Sequence, residues 1–141
     1  MAYKALILIV CSANIFRSPM AEYLAQRSLA KRKIEANVVS AGRLDSGHEA
    51  SPGAVAAMAR RRIDLRGHAS ARHDSETLAH ADLVLVMEEA QRRTLFYTSP
   101  EQLHKIFLIS EMSGDYRDIK DPYRRPKEEY ERCADELAKL I

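Results

Sequence analysis

The chain has 141 residues, 46% of them apolar and 30% charged, which suits one folded domain and excludes a disordered chain. A net charge of +2 offers no bulk attraction for nucleic acid or a membrane surface. Two cysteines, Cys11 and Cys133, exclude a disulfide framework or an all-cysteine zinc site.

The first apolar run, Ala5–Val10, reads as a buried strand. It is too short for a signal-peptide core or a membrane span, so a cytoplasmic setting is expected. Ser18-Pro19 starts a helix, with proline acceptable in the first turn. Ala21, Leu24, Ala25 and Ser28 follow as a stripe of small residues on its inner side. A second strand is expected at Asn37–Ser40. Ser51-Pro52 repeats the cap-then-proline signal, with Ala54, Val55, Met58 and Ala59 as the apolar face. Arg60-Arg61-Arg62 reads as the solvated outer side of that helix. Asp74 is placed to cap a short helix before a third strand, Leu83–Met87. Phe96-Tyr97 at the end of a helix reads as core or edge packing. A fourth strand is expected at Ile106–Ile109. Pro126 opens the last helix, where Tyr130, Cys133, Ala134, Leu137 and Ile141 line one side and Cys133 reads as a buried structural thiol.

With no repeat or linker, residues 1–141 read as a single domain. Strands alternating with helices argue for an α/β fold of parallel βαβ units with right-handed crossovers. In such sheets ligands bind beyond the carboxyl ends of the strands, which directs attention to the loop after the first strand.

That loop carries Cys11, then Ser12, Ala13, Asn14, Ile15 and Phe16, then Arg17 at the mouth of a helix. Five residues can curl so that their backbone N–H groups converge on one anion, with the helix N-terminus adding partial positive charge. The Arg17 fork can hold two phosphate oxygens at once. The same field favours the thiolate of Cys11, and Ser18 is placed to donate a hydrogen bond to it. Asn14 is placed to brace the loop. Displacing an alkoxide or phenoxide from phosphorus also needs a proton donor opposite the thiolate. The polar loop after the last strand offers Asp115, Asp118 and Asp121, and composition does not choose among them.

In order and spacing, Val10-Cys11, Asn14, Arg17-Ser18-Pro19-Met20-Ala21-Glu22, Ser40-Ala41-Gly42, His68-Ala69-Ser70-Ala71-Arg72 and Asp121-Pro122-Tyr123 resemble the low-molecular-weight protein tyrosine phosphatase family over nearly the whole chain. The resemblance implies a three-layer domain with a four-stranded parallel sheet flanked by helices and a phosphate loop after the first strand. It implies a cysteine-dependent phosphomonoester hydrolase without metal or cofactor, acting through a phosphocysteine. Cys11 is then nucleophile, Arg17 phosphate clamp and Asp121 general acid. Ser18, Asn14, Ser40 and His68 are supports, with His68 beneath the phosphate loop in reach of Asn14 or Ser40.

Two positions depart from the pattern. Ala13 stands where relatives have glycine, and Phe16 stands where many carry a second cysteine that traps the oxidised nucleophile. Tyr123 and Ile15 are the expected substrate walls, with Leu44 or His48 at the entrance. Ile15, where arginine-directed relatives have threonine, points to a phosphotyrosine protein substrate. A protein-arginine phosphatase is the alternative. An arsenate reductase would need cysteines between Cys11 and Cys133, and a mere phosphate-binding module would need neither nucleophile nor acid. No nucleic acid or membrane partner is expected, and the expected state is a monomer. His48, His73, His80 and His104 lack metal-ligand spacing.

Overall fold

The computed structural model describes residues 4–11, 16–42, 47–71, 75–122 and 126–141. The first apolar run forms β1 (Ala5–Cys11), one residue longer than its aliphatic letters because Cys11 still pairs with Gly42. Its partner β2 (Ala36–Gly42) extends the predicted strand at both ends. On the other side of β1 lies β3 (Leu83–Val86), and beyond it β4 (Ile106–Leu108). The order is β2-β1-β3-β4 and every pairing is parallel. The expected four-stranded parallel sheet is therefore present.

Alternation along the strands divides the core into two layers. Ile9, Cys11 and Leu85 face helices α1 (Arg17–Lys31), α2 (Pro52–Ala59) and α5 (Lys127–Leu140), meeting Met20, Leu24, Met58 and Leu137. Leu8, Val10, Val84 and Val86 point the other way, toward Leu78 of α3 (Ser75–His80) and Leu95 of α4 (Glu89–Thr98). The Cys11 side chain thus belongs to the α1/α2/α5 layer. Among the described residues no helix is long and apolar enough to cross a membrane.

Helix starts follow the sequence signals with one instructive exception. Ser51 caps α2 as expected, its Oγ accepting from Ala54 N at 3.2 Å. Ser18 does not cap α1. The helix begins at Arg17 with Phe16 as its cap residue, so Ser18 lies within the first turn and its hydroxyl is turned to Cys11. Asp74 lies outside the described residues.

Three packing features were not expected. Arg60 and Arg62 are exposed as expected, but Arg61 is half-buried, because the end of α2 lies along the acidic side of α5. Arg61 pairs with Asp135, and Arg60 Nε lies 3.7 Å from Glu131 Oε1. Phe96 and Tyr97 are neither core nor edge packing. They meet each other with ring centroids 5.7 Å apart and stay exposed, while Leu95 takes the buried position. Finally, a Cβ on Gly53 would lie 2.6 Å from the Tyr130 ring. Glycine lets α2 and α5 approach closely, and Tyr130 in turn packs tilted against Phe16 at 5.5 Å.

Candidate active site

The strand order creates a switch point. After β1 the chain turns into α1 on one face, and after β3 into α4 on the other. Crevices form beyond adjacent strand ends where the connections diverge in this way. Cys11 sits at the first of these ends and Met87-Glu88 at the second.

Cys11 is 2% exposed. Its Sγ lies 2.9 Å from Ser18 Oγ, and either atom can donate. Next to Ser18, Arg17 is 1% exposed. A buried guanidinium without a counter-charge would cost several kcal/mol, on the order of the penalty for any unpaired buried ion. Glu88 supplies the counter-charge by accepting from Arg17 Nη1, which also donates to Ile119 O at 2.7 Å. Arg17 Nη2 lies 3.5 Å from Asp121 Oδ2. One terminal nitrogen of the fork is therefore committed to the protein, and the other faces the Asp121 side.

Glu88 was missed by sequence reasoning, since nothing in its spacing marks it. The available signal was topological: it follows the strand beside β1 at the same sheet edge. Gln91 fixes the turn that presents it, with Oε1 accepting from Met87 N at 2.9 Å and Glu88 N at 3.1 Å.

Geometry also separates the three carboxylates left open by composition. Asp115 Oδ2 is 2.6 Å from Arg117 Nε, which holds its carboxyl below the usual range. Asp118 Oδ1 accepts from Glu89 N at 2.9 Å, at the start of α4. Among the three, Asp121 is the one in ion-pair distance of Arg17.

Other predicted residues fare unevenly. Ser12, Ala13, Asn14, Ile15, Leu44 and Tyr123 lie outside the described residues. His68 is buried, but Ser40 Oγ has no hydrogen-bond partner among the described residues. Ser40 shares the strand face of Val38 and points into the apolar α1/α2/α5 layer, so the Ser40 arm of the expected His68 contact is absent. His48 is exposed. Cys133 is buried as expected, and burial pushes its thiol up to about 12. It lines, with Glu88, Lys120, Asp121 and Arg132, a cleft of about 940 Å³ between the Asp121 segment and α5. Among the described residues no group of His, Cys, Asp and Glu is arranged to hold a metal ion.

The low molecular weight phosphotyrosine protein phosphatase family matches residues 6–141. The chain belongs to this family. Among relatives of this phosphatase is a probable low molecular weight protein-tyrosine-phosphatase EpsP from Ralstonia nicotianae, 36% identical over 136 residues. That match covers 96% of this chain and 90% of the relative. A crystal structure of a low molecular weight protein tyrosine phosphatase from T. tengcongensis is 36% identical with a TM-score of 0.92, covering 97% of this chain and 95% of that one. The YwlE arginine phosphatase, solved as a cysteine-to-serine mutant with a phosphorylated active-site serine, is 31% identical with a TM-score of 0.92. It covers 96% of this chain and 90% of its own. The phosphatase family thus spans two named phosphoresidue classes on one fold.

Proposed function

We propose that this phosphatase hydrolyses phosphotyrosine in protein substrates through a phosphocysteine on Cys11, with Arg17 as clamp and Asp121 as acid and base. The observation that carries the reading is the gathering at one sheet edge of a hydroxyl-supported cysteine, a buried arginine and an acid. Cys11 Sγ lies 2.9 Å from Ser18 Oγ, and Arg17 Nη2 lies 3.5 Å from Asp121 Oδ2.

In the proposed cycle, Cys11 Sγ forms a bond to phosphorus as the bond to the leaving oxygen breaks, and that oxygen takes the Asp121 proton. Water then attacks phosphorus, gives a proton to the Asp121 carboxylate, and the sulfur–phosphorus bond breaks to return the thiolate. Ser18 stabilises that thiolate both as nucleophile and as leaving group. Arg17, held through Nη1 by Glu88 and Ile119 O, keeps its remaining N–H groups for equatorial oxygens, as do the loop amides from Ser12 to Phe16. The phosphorylated active-site serine of the YwlE mutant supports an enzyme-bound phosphoryl group in a structural neighbour.

Ile15 supports phosphotyrosine over phosphoarginine, since arginine-directed relatives have threonine there, and Tyr123 is the proposed aromatic wall. Asn14 and His68 are proposed as braces of the phosphate loop. The reading treats residues 1–141 as one phosphatase domain, working as a cytoplasmic monomer without metal. Phosphoarginine is the second reading, favoured by the likeness to an arginine phosphatase. The test is hydrolysis of phosphotyrosine and phosphoarginine peptides by wild type, Cys11→Ser and Asp121→Asn. The expected result is preference for phosphotyrosine, loss of turnover in the first variant and a drop of about 10²-fold or more in the second. Near wild-type hydrolysis by Cys11→Ser would overturn the nucleophile assignment, and preference for phosphoarginine would overturn the substrate.

A further inference from the structure

The segment that carries Asp121 has no regular secondary structure from Asp115 to Pro122, yet it is tied closely to the start of α4. Asp118 Oδ1 accepts from Glu89 N at 2.9 Å, and the Tyr116 hydroxyl donates to the Glu89 side chain. Directly after these side-chain ties, Ile119 N donates to Met87 O at 2.8 Å and Ile119 O accepts from Arg17. Met87, Glu88 and Glu89 are consecutive. The middle one holds the proposed phosphate clamp, and its two neighbours hold the proposed acid segment.

We propose that Asp118, with Tyr116 and Glu89, is a positioning latch for Asp121, setting where the proton donor stands relative to the leaving oxygen. The inference rests on the phosphatase reading above and deepens it. The Asp118 carboxylate is committed to the α4 start, where the uncompleted N–H groups and the helix dipole favour a negative acceptor. Ile119 is fully buried and pins the backbone two residues before Asp121, while Asp118 and Tyr116 fix the direction in which the chain arrives there. Freeing that approach leaves the nucleophile and clamp in place and displaces only the acid.

This predicts a selective defect. An acid matters in proportion to the basicity of the leaving oxygen. Phenyl phosphate releases a phenol with a pKa of about 10, like tyrosine's, and needs the proton. 2,4-Dinitrophenyl phosphate releases a far more acidic phenol and does not.

The experiment measures kcat/KM for both esters in wild type, Asp118→Ala, Asp118→Asn, Tyr116→Phe, Asp121→Asn and the Asp118→Ala/Asp121→Asn double variant. Asp118→Ala is expected to lose about tenfold on phenyl phosphate, a fraction of the 10²–10⁴ that a positioned acid supplies, and less than twofold on the dinitrophenyl ester. Asp118→Asn keeps an oxygen that accepts from Glu89 N and is expected to restore most of the loss. Tyr116→Phe is expected to show the same selectivity at a smaller size. The double variant should be no slower on phenyl phosphate than Asp121→Asn alone, because Asp118 acts through Asp121. An equal loss on both esters, no loss on either, an Asp118→Asn variant as slow as Asp118→Ala, or full additivity in the double variant would overturn the latch. Each of these leaves the phosphatase reading intact. Absence of hydrolysis of either ester by wild type, or Cys11-independent hydrolysis, would overturn both.

Discussion

The two segments that make the candidate site are built by opposite means. At Cys11 and at Arg17-Ser18, regular structure supplies the geometry: a strand ends, a helix begins, and the thiol meets a hydroxyl seven positions on. From Asp115 to Asp121 there is no strand or helix. That segment is placed by partners 27, 29 and 102 positions away, on Glu89 and Arg17. Nucleophile geometry is thus local and legible as a motif, whereas acid geometry is a tertiary product. Mutations far from Asp121 in sequence should therefore move the acid, while few should move Cys11.

Glu88 is the residue through which both segments can be broken at once. It carries the counter-charge of the buried Arg17, whose same nitrogen holds Ile119 O of the acid segment. Glu88→Ala leaves the buried Arg17 without its nearest counter-charge, with Asp121 at 3.5 Å as the remaining carboxylate. The expected cost is about 2–3 kcal/mol, in the range of hydrogen bonds to charged groups. Turnover of p-nitrophenyl phosphate is expected to fall on the order of 10²-fold, as small misplacements of a phosphate clamp do. Thermal unfolding and kcat/KM read the two effects, and unchanged turnover would assign Glu88 to stability alone.

The contrast between segments also explains what could be read before the structure. The sheet, its parallel sense and the position of Cys11 at a strand end follow from apolar runs separated by helical stripes. Cys11, Arg17 and Ser18 lie within eight consecutive residues, so spacing reveals them. Choosing Asp121 over Asp115 and Asp118 needed the family resemblance, because all three share composition and differ in which group they meet: Arg117 two positions on for Asp115, and the distant Glu89 and Arg17 for Asp118 and Asp121. Glu88 had no signal in its own neighbourhood, since its partner lies 71 positions earlier. Ser18 misled as a helix cap for a related reason: the same hydroxyl can satisfy a backbone N–H or a thiol, and only the tertiary structure decides. The Arg60-Arg61 pairing with α5 and the exposure of Phe96 and Tyr97 likewise depend on which helix faces which.

Gly53→Ala tests the support behind the nucleophile segment. In an unhindered helix this change would stabilise by roughly 0.5–1 kcal/mol. Here the added Cβ would lie 2.6 Å from the Tyr130 ring, which packs on Phe16 at the start of α1. Overpacking of that kind costs about 1–3 kcal/mol, so the net sign should be a loss, read as a lower Tm. A stabilised variant would mean that α5 yields freely.

Ser110→Ala tests the acid segment alone. The fully buried Ser110 hydroxyl donates to Arg117 O at 2.7 Å and accepts from Arg117 N at 3.0 Å. Removing it leaves two backbone groups without that partner, a local cost of about 1–2 kcal/mol. Turnover of phenyl phosphate should fall a few-fold while alkylation of Cys11 by iodoacetate keeps its rate. Equal changes in both would show that the segments are not independent.

The smallest effect separates the two thiols that share one core layer, Cys11 and Cys133. Burial is the largest cause raising the Cys133 thiol from 9.0 to about 12. Its protonated form is therefore favoured in the fold, while the unfolded chain ionises from about pH 9. That contribution to stability is fully present below pH 9 and is lost as pH rises toward 12. Cys133→Ala should lower stability at pH 7 by roughly 1 kcal/mol or somewhat more through lost packing, yet flatten the decline between pH 9 and 12 relative to wild type. The measurement is Tm against pH for both proteins. Parallel curves across that window would remove Cys133 as a cause of alkaline loss and leave its role as packing alone.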